Sequence, residues 1–346
     1  MIVRKILYSH SCNHDEEKEV RLMLVINQNE VAELLTMESC ISVMESVLKA
    51  LSAGQAVQSL RQVLPLQKSN LLGLMPGFLQ HEEVAGAKII SVFPGNHGSG
   101  LPSHQGLVTL FDSSTGVLKA IVDGQKITAI RTAAVSAAAT RYLAREDAEI
   151  LALLGTGEQA KSHLEAMLRV RPIREVKVWS RTLAKAQDFQ MEMSQKYDVQ
   201  IIVAETVQTA VSAADIICTV TASTEPVLKG EWLKPGVHIN AVGACRPNDR
   251  ELDSETVQLA KLYVDRLESA QNESGDYLIP LNEGKITADH IVGEIGELIS
   301  GTIEGRRSAA DITLFKGLGL AIEDLAAANF IYNEAVRLHK GTEIAF

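Results

Sequence analysis

The chain has 346 residues, 46% hydrophobic and 22% charged, a globular composition with room for two domains. Its formal net charge of −10 argues against a nucleic-acid or anionic-membrane partner, because both need a positive footprint. Cys12, Cys40, Cys218 and Cys245 are far apart. No CxxC or Cys/His ligand spacing appears, so neither a disulfide framework nor a metal site is expected, and a reducing, cytoplasmic setting is.

Residues 1–22 are polar from Ser9 to Lys18, where a signal peptide would need an apolar stretch. They are read as an extension ahead of the fold, possessing no function of their own. No apolar run reaches the ~18 residues of a membrane span.

Apolar residues at spacings of three and four predict one amphipathic helix over 27–53, stopped by Gly54. Short apolar stretches follow: Gln62–Leu66, Leu71–Met75, Ala87–Phe93, Gly106–Phe111 and Val117–Val122. Pro, Gly, Asn and Asp punctuate them, which predicts a mostly antiparallel sheet. The Ala-rich stretch Thr128–Ala144 predicts a helix that connects to a second domain, since Ala has the best helix propensity and lets a helix lie close to a sheet. Strands then alternate with helices: Glu149–Leu154, Glu175–Trp179, Val199–Val203, Asp215–Thr219, His238–Val242 and Leu262–Val264. That order means a parallel sheet with right-handed crossovers. A last helix over Ala321–Leu338, after the break Lys316-Gly317-Leu318-Gly319, is expected to pack back on the first domain. The fold class is therefore α/β: a Rossmann-type doubly wound parallel sheet over 129–316, plus an α+β domain from both chain ends, 23–128 and 317–346.

The turn Gly155-Thr156-Gly157-Glu158-Gln159-Ala160 follows the apolar strand ILALL and opens a helix. This is the context a dinucleotide phosphate-binding turn requires. Gly155 permits the tight turn, Gly157 lets a pyrophosphate approach the backbone, and Ala160 keeps the helix close to the strand. The helix N-terminus offers free N–H groups to the phosphates. NAD sites usually end the next strand with an acid on the ribose. Here the strand ends in Ser180-Arg181-Thr182, and Arg181 suits a 2′-phosphate. The expected cofactor is NADPH, with NADH possible.

Read together and in order, the motifs PSHQGLVTLFDSSTG, AIVDGQKITAIRTAAVSAAATRYLA, LLGTGEQA, VWSRT, CTVTASTEPVL, KPGVHINAVGACRPNDRELD, ESGD and FKGLGLAIED resemble the ornithine cyclodeaminase/mu-crystallin family, over about residues 24–335. Within it the likeness is greatest to NADPH-dependent ketimine reductases. The resemblance implies a homodimer, with the first domain dimerising and holding substrate. It implies that Arg61, Lys88 and Arg131 hold a substrate α-carboxylate, a task that suits a bidentate guanidinium and a point-charge ammonium. Arg131 is read as lying near its helix start, where a cation is unfavourable for the helix dipole and a ligand anion would offset it. Glu273 corresponds to a ligand-contacting acid, and Ser103 and His104 to positions beside the nicotinamide. His104 is a candidate proton shuttle. Leu318 is expected near the nicotinamide ring. Thr132, Thr221, Ala222, Val242 and Cys245 complete the cofactor contacts that the resemblance implies. Ornithine cyclodeaminases carry an acid/base Asp in the segment that here reads AVGACRPND, where Cys245 stands. Cys245 is itself read as a small packing residue at the substrate.

The expected activity is reduction of cyclic ketimines, Δ1-pyrroline-2-carboxylate or Δ1-piperideine-2-carboxylate, to L-proline or L-pipecolate. Ornithine cyclodeaminase, alanine dehydrogenase and a non-catalytic ligand-binding protein stand as alternatives.

Overall fold

The computed structural model describes residues 22–96 and 100–345. Apart from Leu22, the expected N-terminal extension lies outside the described residues.

The antiparallel stretches assemble as expected, with additions. The first sheet comprises β1 (Leu22–Ile26), β2 (Ala56–Gln58), β3 (Gln62–Pro65), β4 (Leu71–Leu79), β5 (Val84–Val92), β6 (His104–Asp112), β7 (Leu118–Asp123) and, from the far end of the chain, β16 (Thr342–Ala345). Its order is β16-β1-β7-β6-β5-β4-β2, with β3 also paired to β4. Only the β1–β7 pairing is parallel. Helices α1 (Gln28–Leu34), α2 (Met37–Ser52), α3 (Gly124–Leu143) and α11 (Ala321–Leu338) gather on one face of this sheet, with α11 lying along β4, β5 and β6. The opposite face of β2–β5 presents Val57, Leu64, Leu72, Leu74 and Ile89 to solvent.

The second sheet has eight strands: β8 (Ile150–Leu154), β9 (Glu175–Trp179), β10 (Gln200–Val203), β11 (Ile216–Thr219), β12 (His238–Ala241), β13 (Lys261–Val264), β14 (Ile291–Glu294) and β15 (Thr313–Lys316). All pairings are parallel, in the order β10-β9-β8-β11-β12-β15-β13-β14. Its crossovers carry α4 (Glu158–Val170), α5 (Leu183–Lys196), α6 (Val207–Val211), α7 (Ser254–Leu259), α8 (Leu267–Glu273), α9 (Gly275–Asn282) and α10 (Ile295–Ser300). Central strands such as β11 and β12 are buried along their whole length, which suits the apolar start of β11, while the two polar side chains of β12, His238 and Asn240, bond each other at 3.3 Å. The fold is the expected α/β class with a Rossmann-type doubly wound sheet.

Between the sheets runs α3. Ala129, Ala133, Ala134, Ala137, Ala138 and Ala139 are all buried, and one continuous apolar core extends through this helix from the first sheet into the second. A helix buried all round needs small side chains on every face. No helix among the described residues is long and apolar enough to cross a membrane.

Three local expectations are corrected. The single helix over 27–53 is two helices: Leu35 is extended, and the Thr36 side chain accepts from Ser39 N to cap α2. The Ala-rich helix starts at Gly124, capped by Asp123 accepting from Lys126 N. Arg131 is thus the eighth residue of α3, past the first turn where the dipole acts, and the dipole argument for a ligand anion there fails. Finally, Lys316 belongs to a fully buried central strand, β15, and not to a break.

Candidate active site

All strands of the second sheet run parallel, so their carboxyl ends share one edge. The strand order reverses at β8, which neighbours β9 on one side and β11 on the other, and ligands of doubly wound sheets bind at that crevice. The glycine turn follows β8 there. Gly155 has φ +121°, and a Cβ on it would stand 2.8 Å from Val220 O. Gly157 caps α4 without a side-chain hydrogen bond, and a Cβ there would meet nothing within 4 Å. The Oε1 atom of Gln159 is buried without a hydrogen-bond partner, while its Nε2 donates to Thr128 O at 3.3 Å. An open backbone approach and an uncapped helix start fit a pyrophosphate, whereas the free Gln159 acceptor suits a hydroxyl donor and not an anion.

The other turn residues gather around it. Thr156 Oγ1 lies 3.5 Å from Ser180 Oγ at the end of β9. Glu158 pairs with Lys126 of α3 at 3.4 Å. Arg181 and Thr182 are exposed beyond β9. Across β8, Thr221 is half-buried and Ala222 exposed beyond β11, and Val242 is buried just beyond β12. Cys245 is half-buried, its Sγ donating to Val242 O at 3.5 Å.

A second cluster forms where the first sheet and α11 meet this edge. Gly317 N donates to Ala241 O at 3.1 Å, so the segment leaving β15 runs beside the end of β12. The next two amides, of Leu318 and Gly319, donate to Asp265 Oδ2 at 2.5 and 2.8 Å. Their carbonyls accept from Arg61 Nη2 at 2.6 and 3.3 Å, and Arg61 Nε pairs with Glu273 Oε2 at 3.0 Å. Arg131 stands directly beneath: a Cβ on Gly319, already at φ +81°, would lie 2.7 Å from Arg131 Nη1. Arg131 bonds Glu323 Oε2 at 2.8 Å and Asp324 Oδ1 at 3.0 Å. Lys88 of β5 bonds the same Asp324 oxygen at 3.0 Å, both side chains buried. The structure thus brings Arg61, Lys88, Arg131, Glu273 and Leu318 together. Thr132, half-buried, follows Arg131 on α3.

Burial sets the electrostatics of this cluster. It pushes the Lys88 ammonium down to about 8, against the opposing pull of Asp324. It pushes Glu323 up to about 7, with Arg131 opposing and Asp265 reinforcing. Glu273 and Asp265 are likewise raised, each by burial first. Burial also works against the Arg131 charge, but Asp324 and Glu323 outweigh it and the guanidinium is held firmly protonated. Among the described residues, Arg61 Nη1 and Arg131 Nη2 donate no hydrogen bond.

His104 and Ser103 bond each other at 3.0 Å at the start of β6. The register pairs Lys88 with Val108 and Val92 with His104, so four residues along the sheet, roughly 13 Å, separate His104 from Lys88. The structure does not bring these two against the cation cluster.

Sequence reasoning missed two acids that hold the cations, Glu323 and Asp324, and Asp265, which holds the Leu318 and Gly319 amides. Adjacent carboxylates in the first turn of α11 were the available signal. They fit helix-dipole chemistry equally well, so sequence alone did not mark them as buried partners. Among the described residues, no group of three or more His, Cys, Asp or Glu side chains could hold a metal ion.

The chain is similar to several known proteins. The ketimine reductase mu-crystallin of Rattus norvegicus is 44% identical over 281 residues, 81% of this chain and 86% of that protein. The Delta(1)-pyrroline-2-carboxylate reductase of Bacillus cereus (strain ZK / E33L) is 39% identical over 326 residues, 94% of this chain and 100% of that one. The solved structure of Thermococcus litoralis Delta(1)-pyrroline-2-carboxylate reductase in complex with NADH and L-proline has a TM-score of 0.91 and 39% identity, covering 93% of this chain and 100% of that chain. The model of the ornithine cyclodeaminase/mu-crystallin family matches residues 21–339, and the chain belongs to that family.

Proposed function

We propose that the protein is an NADPH-dependent reductase of cyclic ketimines, converting Δ1-pyrroline-2-carboxylate or Δ1-piperideine-2-carboxylate to L-proline or L-pipecolate. One observation carries this reading. The cation cluster of Arg61, Lys88 and Arg131 abuts the same carboxyl edge of the parallel sheet that bears the glycine turn. A small anionic substrate held there lies next to a dinucleotide held by the turn. The ketimine and pyrroline-2-carboxylate reductases among the relatives favour the same chemistry.

The dinucleotide is held by the Gly155–Gln159 turn, with Ser180, Arg181 and Thr182 on the adenosine side and Thr221, Ala222, Val242, Cys245 and Leu318 towards the nicotinamide. Bound there, the reduced nicotinamide supplies a hydride to an imine carbon. The free guanidinium atoms Nη1 of Arg61 and Nη2 of Arg131 take the substrate carboxylate and fix its orientation. Lys88 Nζ, held near 8 by burial, adds positive charge and can release a proton near neutral pH. Glu273, turned towards Arg61, offsets the positive charge of a protonated imine. Ser103 and His104 contribute from the rim, with His104 a proton carrier between solvent and the site. Cys245 replaces the acid that ornithine cyclisation uses, and as a half-buried thiol it packs at the substrate without acid/base work.

Arg181 favours NADPH over NADH. It is exposed, and no carboxylate stands at residues 180–182 to repel a 2′-phosphate. The free thiols Cys40, Cys218 and Cys245 suit a reducing, cytoplasmic compartment. A second copy of the chain covers the apolar outer face formed by Val57, Leu64, Leu72, Leu74 and Ile89, since exposed apolar patches of this kind mark interfaces. A solution mass equal to one chain would overturn the homodimer.

The activity is tested by oxidation of NADPH and NADH with each cyclic imine and with pyruvate plus ammonia. Ammonia release from ornithine is followed separately. Turnover with the imines, faster with NADPH, is expected. Ammonia release from ornithine with no imine reduction would refute the reading. So would turnover confined to pyruvate and ammonia.

A further inference from the structure

The motif segment RPNDRELD contains a charge that the proposed reaction leaves unused. Glu251 is fully buried. Its Oε2 accepts from Thr219 Oγ1 at 2.8 Å and Gly243 N at 2.7 Å, and its Oε1 from both the N and Oγ1 of Thr221 at 2.7 Å. These donors belong to two separate chain segments. Thr219 and Thr221 stand at the end of β11, and Gly243 just beyond the end of β12. One carboxylate therefore ties two neighbouring turns at the carboxyl edge of the sheet.

Gly243 records how closely the parts meet. A Cβ there would stand 2.3 Å from Thr221 O and 2.6 Å from Glu251 Oε1. The segment bearing Glu251 is anchored in its turn. Asp276 Oδ1 accepts from the amides of Glu251 and Leu252 at 2.9 and 3.0 Å. Asp276 Oδ2 pairs with buried Lys316 at 2.9 Å, and Lys316 Nζ donates to Ala244 O at 2.5 Å, back on the turn after β12.

A buried carboxylate is a costly way to obtain stability alone, because apolar residues of similar size often serve as well. What it provides here is a single point that fixes two backbone turns. On a doubly wound sheet the adenosine ribose lies at the strand following the glycine turn, which here is β9. The turns after β11 and β12 lie on the other side of β8 and border the other half of the dinucleotide.

We infer that Glu251 is a positioning residue for the nicotinamide half of the cofactor: it holds the Thr221 and Gly243 turns in fixed relation without itself touching the ligand. The inference rests on the dinucleotide reading above. Glutamine at 251 would keep the shape but place an NH2 group where an oxygen accepts two donors, releasing one turn.

The test compares Glu251→Gln and Thr219→Val with the wild type by calorimetric titration. The ligands are NADPH and 2′-phospho-ADP-ribose, which keeps the pyrophosphate and adenosine end but lacks the nicotinamide ring. NADH and ADP-ribose are titrated in parallel, so that the result does not depend on the phosphate preference. Glu251→Gln is expected to weaken the complete dinucleotide about tenfold and Thr219→Val roughly threefold, with each ring-less ligand within about twofold of wild type. A merely structural role would weaken both kinds of ligand alike. That outcome, or no change in either, would overturn the inference. If Glu251→Gln does not melt cooperatively, Thr219→Val decides by the same criterion. A wild-type protein that binds none of the four ligands would overturn the dinucleotide reading itself, and this inference with it.

Discussion

The glycine turn and the cation cluster lie on the same edge of one sheet, yet they are built in opposite ways. The turn is made from contiguous residues, and its working parts are backbone: Gly155 at φ +121° and the uncapped start of α4, with one exposed side chain, Arg181 beyond β9, beside them. The cluster is made from β5, α3, α8, α11 and two loops. Its working parts are charged side chains that neutralise one another before any ligand arrives. Lys88 and Asp324, 236 residues apart, share a bond at 3.0 Å, with 2% and 0% of their side chains exposed. Charge that stays in water is free to serve a ligand and adds little to the fold. Charge that is buried must first be balanced, so the fold and the site depend on the same partners.

The sharpest test of that contrast sets Asp324→Ala beside Arg181→Asp. Asp324→Ala leaves Lys88 unpaired and takes one of two partners from Arg131. It should destabilise the protein by about 3–5 kcal/mol, measured as a fall in denaturant midpoint. Arg181→Asp should leave stability within about 0.5 kcal/mol while weakening NADPH roughly tenfold to a hundredfold and NADH far less. Equal losses for the two cofactors would sink the phosphate assignment. A midpoint for Asp324→Ala close to wild type would show that the buried cations find other partners, and the contrast between the regions would collapse.

The same difference decided what could be read from the chain. The turn residues and the strands β8 to β12 were legible because each is a local pattern: an apolar run, a glycine pair, a helix start. Arg61, Lys88 and Arg131 came only through likeness to a family, since an isolated cation in sequence looks like any solvated one. Glu273, which holds Arg61, came the same way, but Glu323 and Asp324 were not found, because pairing across 192 or 236 residues leaves no local trace. β15 was missed for a related reason. Its four residues TLFK end in a lysine followed by glycine, which reads as a break. Only its place between β12 and β13 and the Lys316–Asp276 pair at 2.9 Å account for a lysine at the end of a buried strand. The break between α1 and α2 did carry a signal, Thr36 three residues before Ser39, but continuous apolar spacing across it outweighed the cap.

Acid titration gives the finest comparison, because the two regions should answer with opposite sign. Behind the glycine turn, His163 of α4 is fully buried. Its Nδ1 donates to Gln159 O at 2.8 Å and its Nε2 accepts from Ser136 Oγ at 2.9 Å. Burial lowers it from 6.5 to about 4. The unfolded chain therefore binds the proton first, and the stability this neutral imidazole contributes is complete above about 6.5 and is lost as pH falls towards 4. In the cluster, Glu323 moves the other way, raised by burial from 4.5 to about 7. The folded protein takes that proton first, so its contribution is complete below about 4.5 and is lost as pH rises through 7. Stability curves of wild type, His163→Gln and Glu323→Gln between pH 4 and 8 separate the two. As pH falls from about 6.5 to 4, wild type should lose ground to His163→Gln. Over nearly the same interval, from about 7 to 4.5, it should gain on Glu323→Gln. Parallel curves for wild type and Glu323→Gln would mean that Arg131 keeps that carboxylate ionised across the range. The cluster would then hold its charges as rigidly as the turn holds its backbone.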